Sequence, residues 1–123
     1  MDVEHFHEVN ATHGHLIGDA VLVEIAAALA AAAAEGEIVA RVGGDSFGIF
    51  FPLVRSRAWL HERIAAYRAV FDVPMGLGDR DGKDTLAVRG NVGVAVTPGD
   101  APTFDALLFH AEGRARSHAP AER

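Results

Sequence analysis

Two acidic residues stand where the sequence can build a divalent metal site. Asp45 follows Gly43 and Gly44, and apolar stretches flank this short run on both sides. The pattern predicts a hairpin tip, because glycine enters positive φ without steric cost. Asp2, 43 positions upstream, ends a stretch that we interpret as another strand. Two carboxylates on neighbouring strands suit a divalent cation that carries a nucleotide triphosphate, so the pattern indicates phosphoryl-transfer chemistry.

Each of these acidic residues also has an ordinary structural explanation. Aspartate is common at hairpin tips, so Asp45 alone is explained as a turn former. Asp19 precedes an apolar-periodic stretch, where aspartate is a preferred N-cap of a helix. A capping carboxylate keeps spare lone pairs, so a cap role and a ligand role for Asp19 are compatible. The residues alone leave both explanations open.

Histidines are concentrated near the N-terminus, where His5, His7, His13 and His15 make up four of the chain's 7 histidines. Such clustering is found in zinc and nickel sites. No cysteine accompanies them, so a thiolate metal site and a disulfide framework are both excluded. We treat the cluster as a compositional hint of a transition-metal site only.

Composition narrows the class of protein. The 123 residues suffice for one domain, and half of them are apolar, which excludes disorder as the main state. The net charge is -6 without any basic run, so binding to nucleic acid or to an anionic membrane surface is not expected. The apolar stretch 25–34 is too short and too alanine-rich to span a bilayer, so we expect a cytoplasmic protein.

The apolar periodicity predicts helices and strands that alternate along one domain, 1–123. The predicted elements are a helix over 4–12, a helix from Asp19 to Gly36, hairpin strands over 38–42 and 47–51, a helix over 56–71, an irregular hairpin arm over 73–89, a buried strand over 91–96 and a last helix from near Thr103. Hairpins join some of the strands. We therefore predict an α+β fold with a central, mostly antiparallel sheet flanked by helices.

In order and spacing, several segments resemble the GGDEF domain of diguanylate cyclases. They are residues 2–6 (DVEHF), Asn10, Gly14 with His15, Gly18 with Asp19, residues 40–47 (ARVGGDSF) and residues 91–95 (NVGVA). The resemblance covers nearly the whole chain. It implies a sheet related to the palm of nucleotidyl cyclases and polymerases. It also implies a reaction that joins two GTP molecules into cyclic di-GMP with release of pyrophosphate, one GTP coming from each of two antiparallel protomers.

The resemblance assigns roles to single residues. It makes Asp2 and Asp45 ligands of Mg²⁺ or Mn²⁺, with the Val3 carbonyl beside them, and it makes Asp45 a base for the attacking 3′-hydroxyl. It makes Asn10 and Asp19 readers of the guanine edge, and it places Gly43 and Gly44 against the substrate. Carboxylates and phosphate oxygens are the ligands that Mg²⁺ prefers, and an amide with a carboxylate complements guanine.

Three departures from the family pattern affect the charges around the triphosphate. Ser46 stands where the family has glutamate, which removes a carboxylate from the metal edge. His7 replaces an expected catalytic lysine, and imidazole is mostly neutral at pH 7. Ala119 occupies the place of a phosphate-binding lysine in the last helix, with Arg114 or Arg116 as alternatives for that role. Losing two charge-assisted contacts weakens GTP binding by about two or more orders of magnitude.

Further departures concern regulation and the edge of the sheet. The family's N-terminal helix, and most of the strand that leads to Asp2, have no counterpart in this sequence. Unpaired backbone groups at that edge offer a site where another strand can pair. Ala34 and Glu37 occupy the key positions of the family's product-inhibition motif, Arg-x-x-Asp.

We interpret the chain as a degenerate GGDEF domain with residual binding of guanine nucleotide and Mg²⁺ and with a regulatory or interaction role. The metal and guanine positions are retained, while the phosphate-neutralising and second-carboxylate positions are lost. The alternative is an active diguanylate cyclase that works as a homodimer. A third possibility is a structural domain that pairs through the sheet edge. Expected partners are GTP, a second copy, and a sensory domain upstream or a phosphodiesterase domain downstream.

Overall fold

Helices alternate with short strands along the chain, as the sequence predicts for an α+β fold. The computed structural model describes residues 1–76, 85–97, 99–100 and 103–117. The strands are β1 (Asp2–Val3), β2 (Ile38–Arg41), β3 (Phe47–Phe50), β4 (Met75–Gly76), β5 (Thr85–Leu86) and β6 (Gly90–Asn91). The helices are α1 (Phe6–His13), α2 (His15–Ala32), α3 (Arg57–Arg68), which a 3₁₀ turn (Ala69–Asp72) extends, and α4 (Phe104–Ser117).

Strand β1 lies between two neighbours and sets the order of the sheet. The β2–β3 hairpin is antiparallel, and its other edge meets β1. At that edge the Phe47 amide donates to the Met1 carbonyl at 2.7 Å, and the Val3 amide donates to the Asp45 carbonyl at 2.9 Å. On its far side β1 pairs antiparallel with β6. The order is therefore β2, β3, β1, β6, and the predicted antiparallel sheet is confirmed.

The last strand of this sheet is shorter than predicted. We expected a strand over 91–96, and the structure has one only over Gly90–Asn91. A strand requires a partner opposite each residue, and β1 offers only Asp2 and Val3 to β6. The predicted hairpin arm is present as β4 paired with β5, and its turn at 79–82 lies outside the described residues.

A sharp break separates α1 from α2 and corrects one prediction. Gly14 has φ 87°, which a glycine adopts without strain, and α2 begins directly after it. Asp19 therefore lies inside α2 on its exposed side, and the prediction that it caps this helix was wrong. Its side chain does not cap the helix.

Helix α2 supplies much of the core. Its Val21, Leu22, Ile25 and Leu29 are buried, as its apolar periodicity predicts, and they pack with buried residues of every layer: Val3, Phe6, Phe47, Tyr67, Met75 and Val88. The helix has the length and composition of a membrane span, with a mean hydropathy of 1.7. Core helices of soluble proteins meet the same criterion, but only 28% of this helix is buried, and Leu16 and Val23 are among its exposed apolar side chains.

A buried ionic cluster joins the α2–β2 connection to α3; we call Glu37, Arg63 and Tyr67 the Glu37 cluster. Arg63 donates two hydrogen bonds to the Glu37 carboxylate, at 2.8 and 2.7 Å, and a third to the Ala32 carbonyl at 2.7 Å. The Tyr67 hydroxyl donates to the same carboxylate. These contacts lower the pKa of Glu37 to about 2, and burial raises the pKa of Tyr67 to about 12.

Candidate nucleotide and metal site

Asp2 lies in β1, and Asp45 lies in the turn that precedes β3, the strand next to β1. The hydrogen bond from the Val3 amide to the Asp45 carbonyl ties β1 to the hairpin at this point. The Asp2 side chain accepts a hydrogen bond from the Ser46 hydroxyl at 2.6 Å, and the two residues lie opposite each other across the strands. Ser46 therefore contacts the Asp2 carboxylate, a contact that no sequence pattern indicated.

The donor set at this edge fits Mg²⁺ or Mn²⁺. Mg²⁺ is usually bound through one or two carboxylates, with waters and substrate phosphates completing its octahedron. Asp2 and Asp45 are both half-buried, so their oxygens are reachable while water is partly excluded. Among the described residues no three His, Cys, Asp or Glu side chains converge on one point. Two carboxylates would leave the other positions of such an octahedron to water or to substrate oxygens.

The glycines of the hairpin tip have a different role from the one predicted. Positive φ among the described glycines occurs only at Gly14 and Gly36, so the turn does not require Gly43 and Gly44 for their backbone freedom. An added Cβ at Gly44 would meet no atom within 4 Å, and one at Gly43 would lie 3.4 Å from Ser46 Cβ. Neither backbone strain nor crowding within the protein accounts for them.

Arg41 holds this tip in place. Its side chain donates to the Gly43 carbonyl at 3.1 Å and to the Gly44 carbonyl at 2.6 Å. A guanidinium presents several donors in a fixed fork, which matches two neighbouring carbonyls. The sequence analysis gave Arg41 no role of its own, because a bond from a strand residue to the following turn leaves no periodic signal.

Asn10 has an unsatisfied acceptor in the place where guanine recognition is predicted. Its Oδ1 atom is buried and has no hydrogen-bond partner. The side chain lies against Gly18, where an added Cβ would stand 1.8 Å from Oδ1 and 3.3 Å from Phe6 Cζ. Gly18 thus provides the space that Asn10 occupies. A buried acceptor without a partner costs free energy.

Asp19 is one residue beyond Gly18 and lies on the exposed side of α2. It lines a groove of about 460 Å³ between α2 and β2, together with Arg41 and Phe47. The structure therefore connects Asp19 with the hairpin side of the site, while Asn10 faces Gly18 on the α1 side. The two residues predicted to recognise guanine therefore lie on different sides of the N-terminal part of α2: Asn10 on the α1 side and Asp19 on the β2 side.

His7 lies in the first turn of α1 and is exposed. The first amide groups of a helix have no partner within the helix, and the helix dipole favours anions there. His5 precedes this turn with φ 56°, an uncommon conformation for a residue with a side chain. Its ring lies 3.4 Å from Glu4 and 3.8 Å from Glu8. The role of His7 beside a phosphate stays a prediction, and Glu8 lies in the same first turn.

The arginine considered for the missing phosphate lysine is engaged elsewhere. Arg114 donates to the Val94 carbonyl at 2.6 Å and to Asp100 at 2.8 Å. The hydrogen bond from Arg114 lowers the pKa of Asp100 to about 2. Arg114 therefore stabilises the connection before α4 and is not presented to a nucleotide. Lys83, Ala119 and the side chain of Arg116 lie outside the described residues.

Comparison with known proteins supplies the family. Residues 1–122 match the family described as diguanylate cyclase, GGDEF domain. The chain belongs to the GGDEF domain family. This GGDEF domain is 33% identical over 112 residues to diguanylate cyclase TpbB of Pseudomonas aeruginosa, covering 91% of this chain and 25% of that protein. It is 38% identical over 120 residues to an uncharacterized signaling protein of Caulobacter vibrioides, covering 91% of this chain and 14% of the relative.

The fold agrees with a solved GGDEF domain. The crystal structure of the GGDEF domain of TpbB superimposes with a TM-score of 0.85 at 33% identity, over 94% of this chain and 70% of that one. The likeness confirms the recognition and the α+β architecture. The chain spans a quarter or less of the length of these two curated relatives, so the activity of a whole protein does not follow from the match.

Proposed function

We propose that this chain is a degenerate GGDEF domain of cyclic di-GMP signalling. It binds a guanine nucleotide together with Mg²⁺ or Mn²⁺, has weak or no cyclase activity, and acts as a regulatory or interaction module. Asn10 and Asp19 read the base, Gly43 and Gly44 line the substrate, and Asp2, Asp45 and the Val3 carbonyl hold the cation. His7 takes the position nearest to the phosphates.

The observation that carries the proposal is the buried Oδ1 atom of Asn10, which lacks a partner. Folding does not use this acceptor, and Gly18 leaves the space that seats it. Guanine carries an amino group and a ring N–H on one edge, and an amide oxygen with a carboxylate complements those donors. Asp19 lies in α2, the helix that follows α1, and its exposed carboxylate supplies the second acceptor.

Weak catalysis follows from the charges around the triphosphate. The transfer of a phosphoryl or nucleotidyl group depends on positive charge and metal at the phosphate oxygens. Ser46 provides a hydroxyl where the family has a carboxylate, and Arg114 is bound to Asp100. Asp45 remains as the base for the 3′-hydroxyl, but the leaving pyrophosphate has less stabilisation. We therefore expect the domain to bind the nucleotide although its cyclase turnover is weak or absent.

Calorimetry tests the binding. GTP titrated into the protein with Mg²⁺ at pH 7 should give a saturable heat that Asn10→Ala removes, while ATP should give none. His61→Ala, a change at an exposed position of α3, is the matched control and should leave the heat unchanged. Absence of heat at GTP concentrations up to the order of 1 mM, where binding is worth only about 4 kcal/mol, would rule out nucleotide binding.

The main alternative is an active diguanylate cyclase that works as a homodimer. Two protomers could each bring one GTP, and a partner could supply basic groups. Incubation with GTP and Mn²⁺ followed by chromatography should yield little or no cyclic di-GMP under our proposal. Clear product from the wild type, with none from Asp45→Ala, would establish the alternative instead.

We place the domain in the cytoplasm, as a homodimer or joined to a sensory or phosphodiesterase domain. Light scattering tests the self-association: a monomer at all protein concentrations would exclude the homodimer.

A further inference from the structure

Ser46 lies between the hairpin tip and the Asp2 carboxylate. Its hydroxyl donates to Asp2 Oδ1 at 2.6 Å, and the pair is half-buried. The backbone register fixes this contact, because Asp2 and Ser46 are directly opposite each other in the antiparallel bridge. The Ser46 side chain also lies beside Gly43, where an added Cβ would stand 3.4 Å away. The short side chain of serine therefore contacts Asp2 without extending beyond the hairpin tip at Gly43.

A hydroxyl that donates to a carboxylate does two things. The bond is charge-assisted, and its length is within the range of strong O–H···O⁻ contacts, so it selects one orientation of the Asp2 side chain. It also uses a single lone pair, and a carboxylate has about four acceptor sites. The remaining sites of Asp2 stay available to a cation. Groups that orient metal ligands in this way typically change metal affinity by 10–100-fold when they are removed.

We propose that Ser46 is a positioning residue that holds the Asp2 carboxylate ready for a divalent cation. This inference rests on the proposed metal site and adds a residue to it. Where the family pattern supplies a further ligating carboxylate, this chain supplies an orienting hydroxyl. The edge then binds one cation through Asp2 and Asp45, with Ser46 acting through Asp2.

A pair of β-branched variants separates this role from simple packing. Ser46→Thr keeps the hydroxyl, and Ser46→Val has the same shape as threonine but cannot donate. Mn²⁺ alone is the probe, measured by the loss of the free-ion signal in electron paramagnetic resonance. We expect Ser46→Thr to bind Mn²⁺ within about threefold of the wild type and Ser46→Val to bind it about 10–100-fold more weakly. Thermal melts of both variants report any common effect on folding.

Equal Mn²⁺ affinities of the two variants would overturn the inference, and so would tighter binding by Ser46→Val, which would mean that the hydroxyl competes with the cation. If Ser46→Val does not fold, Ser46→Ala replaces it, with the same weakening expected. Asp2→Asn is the control for the site itself. If Asp2→Asn and the wild type bind Mn²⁺ alike, the proposed metal site fails. If Asp2→Asn loses binding and Ser46→Val keeps it, only the role of Ser46 fails.

Discussion

The Glu37 cluster and the Asn10–Asp2 region use polar side chains in opposite ways. Glu37 is 3% exposed, and its two oxygens accept from Arg63, Tyr67 and a backbone amide. Asn10, in contrast, keeps a buried oxygen without a partner. The first region satisfies its charges within the fold. The second leaves acceptors free, which lowers stability unless a ligand completes them.

Under the proposed function, this difference separates residues that stabilise the fold from residues that bind the nucleotide and the cation. Glu37 occupies a position of the family's inhibition motif, yet here its carboxylate is fully used by α3. A regulatory ligand would have to displace Arg63 to reach it. We therefore expect that changes in the Glu37 cluster alter stability and that changes around Asn10 and Asp2 alter binding.

Removal of Arg63 should have the largest effect. Arg63→Met leaves the Glu37 carboxylate buried without its cation, which typically costs about 3–5 kcal/mol of unfolding free energy. Urea unfolding followed by circular dichroism measures it. Arg68→Met, at an exposed position of the same helix, is the control and should change stability by no more than about 0.5 kcal/mol. Equal losses of unfolding free energy for the two variants would show that the Glu37 cluster does not stabilise the fold specifically.

Acid should weaken the same region. The pKa of Glu37 is lowered to about 2 from 4.5, so its contribution is present above about pH 4.5 and is lost as the pH falls towards 2. Urea midpoints between pH 6 and pH 2.5 should therefore fall more steeply in the wild type than in Glu37→Gln. Parallel slopes would show that Glu37 titrates as an ordinary carboxyl.

Crowding of Asn10 should weaken nucleotide binding with a smaller effect on the fold. Gly18→Ala places a methyl group within 1.8 Å of the present Oδ1 position, so the amide must turn away from the base. We expect about tenfold weaker GTP binding, the equivalent of one lost hydrogen bond of about 1.4 kcal/mol. Gly113→Ala, in open space on α4, is the matched control. Unchanged affinity in Gly18→Ala would remove Asn10 from the base site.

His7 should give the smallest effect, a pH dependence of affinity. Imidazole is the side chain whose ordinary charge change lies between pH 5 and 8, and only its charged form attracts phosphate. GTP should bind severalfold more tightly at pH 6 than at pH 8. His7→Lys should bind tightly at both values, and His7→Gln weakly at both. A flat profile in the wild type would place His7 away from the phosphates.

The sequence predicted the parts of the molecule that depend on local patterns. Apolar periodicity identified α2 and its buried Leu22, Ile25 and Leu29, and Ser56 caps α3 by accepting from the Trp59 amide at 3.0 Å. Asp19 was misplaced as a cap because Gly14 begins the helix one turn earlier. A positive φ at one glycine outweighed the capping preference of the aspartate.

Contacts between distant residues could not be predicted in the same way. Ser46 and Asp2 are 44 positions apart, and Arg63 and Glu37 are 26 apart. No periodicity reports such pairs, because they depend on strand register and helix placement. Gly43 and Gly44 were predicted to form the hairpin tip through positive φ; the tip is present, but neither glycine has positive φ. Their contact with a substrate stays a prediction.

The most direct test is a ¹H–¹⁵N correlation spectrum recorded while GTP and Mg²⁺ are added. The account predicts progressive shifts of the amides of Asn10, Gly18, Asp19, Gly43 and Gly44, while Glu37 and Tyr67 stay unchanged. Shifts centred on Glu37 and Tyr67, or an unchanged spectrum at GTP concentrations on the order of 1 mM, would contradict it.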